Sequence, residues 1–82
     1  LDAQAALLER AIDGEPDVLV LHEGPNGGDD AQRGNGTLRE LIEAGGVGFT
    51  VCGHDHWPSP LASHEHGQIL NVDTRVVVLT CK

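Results

Sequence analysis

A chain of 82 residues with 13 acidic and five basic side chains carries a formal charge of -8. That balance argues against binding nucleic acid through phosphate neutralisation and against docking on an anionic membrane surface. Hydrophobic residues make up 39%, yet Phe49 and Trp57 are the only aromatics, so one small domain over residues 1–82 must fill a marginal core with Leu, Val, Ile and Ala.

No apolar run approaches the roughly 20 residues of a membrane span, and no secretory signal is read ahead of the first helix. The chain begins at Leu1 and contains no Met, which sets the expectation of a fragment or a processed product. Cys52 and Cys81 are too few for a disulfide framework. Each closes an apolar segment, so two buried reduced thiols and a cytoplasmic location are expected. A bridge is conceivable if their segments are neighbours.

In chain order, Ala3, Ala6, Leu7, Ala11 and Ile12 form a stripe at helical spacing that Leu8 widens. Asp2 is the candidate cap, and Gly14 and Pro16 are stop signals. Val18-Leu19-Val20-Leu21 is a continuous apolar run, the pattern of a strand in a parallel sheet. Residues 23–36 hold five glycines and no large apolar side chain; loops of this length are usually functional or mobile. Thr37 then caps a short helix with Leu38, Leu41 and Ile42 on one face, ended by Gly45-Gly46. Phe49-Thr50-Val51-Cys52 follows as a second strand. Strand, helix, strand predicts a parallel βαβ unit. Gln68–Val72 and Arg75–Leu79, joined by Asp73-Thr74, predict an antiparallel hairpin. The expected class is therefore α/β, a βαβ unit plus an antiparallel hairpin.

Chemistry concentrates in five histidines. His22 follows the first strand and His54 follows the second after one glycine, so both reach the carboxyl edge of the sheet, where open α/β sheets bind ligands. His56 lies two residues beyond His54, and in an extended segment such residues share a side. Three imidazoles are thus expected to converge, a donor set suited to Zn, Fe, Mn or Ni.

These segments resemble the calcineurin-like metallophosphoesterases. Leu19-Val20-Leu21-His22-Glu23-Gly24-Pro25 is similar to an apolar strand ending in a histidine. Val51-Cys52-Gly53-His54-Asp55-His56 is similar to the strand leading into Gly-His-x-His, and Gln68–Asp73 to the strand that follows it. The resemblance covers residues 17 to 81. It implies the C-terminal half of an α/β sandwich and a dinuclear centre of Mn, Fe or Zn acting on a phosphoester substrate. It also implies that His22 and His54 bind one metal and His56 the other.

The family's Asp-x-His, bridging Gly-Asp and Gly-Asn-His motifs are missing from this chain. Gly28-Asp29 and Gly34-Asn35-Gly36 read as loop composition, because they follow His22 and lack the histidine. Two dications need anionic ligands to screen their repulsion, and three neutral imidazoles supply none. The expectation is therefore at most one metal here and no turnover unless an N-terminal segment completes the site. No residue of the chain itself is assigned a catalytic role. The alternative is a truncated, non-enzymatic metal-binding or oligomerising protein on the same scaffold, pairing along a free sheet edge.

The other marked residues read more plainly. His64 and His66 are expected in an exposed loop, and Glu23 as a solvated loop acid. Asp55 is expected to turn away from the two histidines that flank it. Trp57 is expected in a rigid turn, with a cleft wall as its alternative. Arg75 is expected in solvent or beside Asp73.

Overall fold

The computed structural model describes residues 3–80. Its elements are α1 (Ala3–Asp13), β1 (Leu19–Glu23), α2 (Gly36–Gly45), β2 (Phe49–Gly53), β3 (Leu61–His64) and β4 (Gly67–Asn71). The four strands form one mixed sheet in the order β1-β2-β4-β3. β2 is parallel to both β1 and β4, whereas β3 is antiparallel to β4. The small α/β class and the parallel βαβ unit are as expected from the sequence.

The inward stripe of α1 is shifted from the expected one. Ala5 and Leu8 are buried and Ile12 packs beside them, whereas Ala3, Ala6, Leu7 and Ala11 face solvent. The candidate Asp2 cap lies outside the described residues, as does Cys81. The cap of α2 is Asn35 rather than Thr37. Its side chain accepts the backbone N–H groups of Thr37 and Leu38 at 2.9 and 3.1 Å, satisfying donors that a helix start leaves unpaired. Gly46 closes the helix in the left-handed region at φ 66°, where glycine carries no Cβ penalty.

The hairpin exists but is built one segment earlier than expected. β4 corresponds to the predicted Gln68–Val72 strand, and its partner is Leu61-Ala62-Ser63-His64, turning through Glu65-His66. Residues 75–80 lie outside any strand, with Val76, Val78 and Leu79 exposed. β3 is an edge strand and buries only Ala62. Its short sequence after Pro58 and Pro60, with one buried side chain, therefore hides the pairing that the valine run offers by composition.

Leu8, Leu19, Leu38, Ile42 and Val47 form one core cluster where α1 and α2 meet β1. Cys52, Trp57, Ala62 and Ile69 form a second, and Leu21 packs against both. Burial pushes the Cys52 thiol up to about 11, so it stays protonated at neutral pH. The long loop is pinned by buried Gln32. Its Nε2 donates to the Ser59 and Leu61 carbonyls at 3.0 and 3.1 Å, and its Oε1 accepts from the backbone N–H groups of Gly28 and Asp29. Gly24 must be glycine, because a Cβ there would run into the Cys52 side chain.

Candidate metal site

β1 and β2 pair in step through Leu19–Thr50, Val20–Val51 and Leu21–Cys52, and then the register slips, so that Glu23 rather than His22 stands opposite Gly53. The extra residue is His22. A bulge of this kind bends a strand and re-aims a side chain. At the end of β2, Gly53 leads into His54, whose φ of 74° is left-handed. Histidine is among the non-glycine residues that enter this region most readily. The two local departures bring the exposed rings together edge to face, with centroids 5.2 Å apart and planes at 64°.

That spacing is an ordinary edge-to-face ring contact, and it is also the size that two imidazoles on one cation would have. With metal–nitrogen bonds of about 2.1 Å and tetrahedral angles, two ligating imidazoles have centroids roughly 5 Å apart.

His56 does not join the pair through strand alternation. The left-handed turn at His54 replaces the extended path with a bend, in which the Asp55 N–H donates to the Gly53 carbonyl at 2.9 Å. The His56 ring is instead held by the turn after β4. Its Nδ1 lies 3.2 Å from the Asp73 carbonyl oxygen and 3.0 Å from Thr74 Oγ1, with the Asp73 carboxylate at 3.9 Å. With the proton on Nδ1 the ring donates to the Asp73 carbonyl; with the proton on Nε2 it accepts from the Thr74 hydroxyl at Nδ1. Metal-ligating histidines are commonly oriented in this way by an outer carbonyl or carboxylate. Thr74 itself sits at φ 57°, an outlier for a β-branched residue, so backbone strain is stored at the contact that orients His56.

Asn71, which sequence reasoning passed over, connects these parts. It is fully buried. Its Nδ2 donates to the Asp55 carbonyl at 2.6 Å, and its Oδ1 accepts the Asp73 N–H at 3.1 Å. The available signal was a polar residue closing the apolar run Ile69-Leu70.

Among the described residues no group of three or more His, Cys, Asp or Glu side chains is arranged to hold a metal ion. The side chains brought together are the two imidazoles of His22 and His54. They do not fit a dinuclear centre, which also needs an anionic bridge.

Several neighbouring side chains settle differently from expectation. Glu23 ends β1 rather than lying in the loop. Arg75 donates to the carbonyls of Trp57, Pro58 and Asn71 rather than to an acid. Trp57, by contrast, packs its turn as expected and is not a cleft wall: it is wholly buried, with Nε1 donating to the Arg33 carbonyl at 2.8 Å. His64 ends β3, and its Nδ1 accepts the His66 N–H at 3.4 Å. The proton is then on Nε2, which is buried without a partner. Desolvation lowers the pKa of His64, with Glu43 acting in the opposite sense.

No helix among the described residues is long and apolar enough to cross a membrane. Compared with protein-family models, curated proteins and solved structures, the chain matches none.

Proposed function

We propose that His22 and His54 hold one divalent cation, Mn, Fe or Zn, and that the chain contributes this half-site to phosphoester hydrolysis of the calcineurin-like metallophosphoesterase type. The observation that carries the reading is the 5.2 Å edge-to-face meeting of the two rings at the carboxyl ends of adjacent parallel strands, where such sheets bind ligands. When bound, the cation supplies Lewis acidity toward a phosphoryl oxygen. The chain's own residues ligate and orient: His22 through the bulge, His54 through its left-handed turn, and His56 through a ring held at Nδ1 by the turn after β4. In this reading His56 serves a second cation once a carboxylate from outside this chain bridges the pair. The N-terminal motifs that supply the bridge and the general acid belong to a segment that completes the site.

The test uses Mn-loaded chain and inorganic phosphate as probe. Phosphate should bind to the loaded wild type and not to the His22→Ala/His54→Ala/His56→Ala variant. Nitrophenyl phosphate hydrolysis should not rise above that of the same variant. Equal phosphate binding by both proteins would remove the phosphoesterase reading.

A second reading, a non-enzymatic single-metal protein that pairs along a sheet edge, has one observation in its favour: only two of the three rings meet. Metal binding without phosphate binding selects it.

A further inference from the structure

We infer that Asn71 is the positioning residue of the histidine site, setting the geometry of His56 relative to the His54 turn. This inference rests on the proposed metal-binding reading for its affinity arm alone. The chemistry of the carboxamide is what makes the assignment. Asn71 closes β4 and is fully buried, so each polar atom it carries must be satisfied inside the protein. The donor half, Nδ2, holds the Asp55 carbonyl at 2.6 Å, and Asp55 is the residue between His54 and His56. The acceptor half, Oδ1, takes the Asp73 N–H at 3.1 Å and an Arg75 guanidinium N–H at 3.4 Å.

The Asp73 carbonyl and the Thr74 hydroxyl are the two groups at the Nδ1 of His56. One side chain therefore grips the peptide that carries the histidines and the turn that orients one of their rings. Among the described residues no other amide side chain does this, and neither half can be replaced by an aliphatic group of the same shape. Thr74 is held at φ 57°, so the turn needs such an anchor to keep its strained backbone. Arg75 reinforces the same junction by donating to the Trp57 and Pro58 carbonyls just beyond His56.

The test compares the full chain with Asn71→Ala, Asn71→Asp and a control, Ile69→Val, which trims a fully buried residue of the same strand. Two readouts are taken: Co(II) affinity by visible absorption, and the His56 ring tautomer by nitrogen chemical shift in metal-free protein. Wild type should show His56 with the proton on Nδ1. Asn71→Ala should lose that single tautomer and, by freeing the Asp55 carbonyl beside the His54 turn, weaken Co(II) binding by about tenfold, the low end for removing an outer partner. Asn71→Asp keeps the shape and the acceptor but loses the donor to Asp55, and should weaken Co(II) binding at least tenfold; it decides the matter if the alanine variant does not fold. Ile69→Val should lower the melting temperature and leave affinity and tautomer unchanged.

Unchanged tautomer and affinity in the Asn71 variants would overturn the assignment. So would an equal loss in Ile69→Val, which would mark a general stability effect. If wild type binds no Co(II), the metal reading fails, and the tautomer comparison alone still decides for or against Asn71.

Discussion

The left-handed backbone at His54 makes a quantitative prediction about two substitutions that remove the same imidazole. An L-residue in this region costs roughly 1–2 kcal/mol, with histidine toward the low end because the region is several-fold enriched in it. Glycine carries no such cost, but loses roughly 0.5–1 kcal/mol through the greater freedom of its unfolded chain. His54 is exposed and its ring meets that of His22, so little packing is lost in either variant. His54→Gly should therefore be more stable than His54→Ala by about 1 kcal/mol. For a domain of this size that is roughly 4–8 °C in melting temperature. The buried Trp57 gives the fluorescence signal for thermal or urea unfolding, and metal binding should be lost in both variants. An alanine variant as stable as the glycine variant would refute the left-handed assignment, and a glycine variant that still binds metal would refute the ligand assignment.

Three further outcomes are expected. Thr50 is fully buried with an unpartnered Oγ1, so Thr50→Val should stabilise the fold by about 1–2 kcal/mol, seen as a higher urea midpoint with an unchanged slope. Trp57→Ala empties the second core cluster and frees the Arg33 carbonyl, and should destabilise by about 3–5 kcal/mol, enough to unfold much of so small a domain at 37 °C by circular dichroism. The folded-state pKa of His64 lies below its unfolded value, so the unfolded chain binds more protons and stability falls as pH drops through 6.5 toward the folded pKa. Urea midpoints at pH 7.5 and 5.5 should differ more in wild type than in His64→Gln.

Much of the fold was legible because hydrophobic pattern carries it. The apolar runs at Leu19 and Phe49 flank a helix whose Leu38 and Ile42 are buried, and together they specify the parallel pair. The hairpin was misplaced because Leu61–His64 is a short edge strand with little to bury, while Val76–Leu79 has strand composition and no pairing. Pattern measures the demand for burial, and an edge strand makes little. The site was legible at the level of which strand ends carry histidines. It was not legible in geometry, since the bulge at His22 and the φ of 74° at His54 are backbone departures that no side-chain periodicity records. Strict alternation therefore brings His56 to its neighbours, whereas the actual bend hands it to Asp73 and Thr74. Asn71 escaped notice for a related reason: its role depends on contacts with residues 16 positions away.

The most direct test of the account is metal content. In equilibrium dialysis against saturating Mn or Zn, atomic emission should find one bound metal per wild-type chain and almost none in the His22→Ala/His54→Ala/His56→Ala variant. A metal-free wild type, or a triple variant that retains as much metal as wild type, would contradict the assignment of these histidines as ligands.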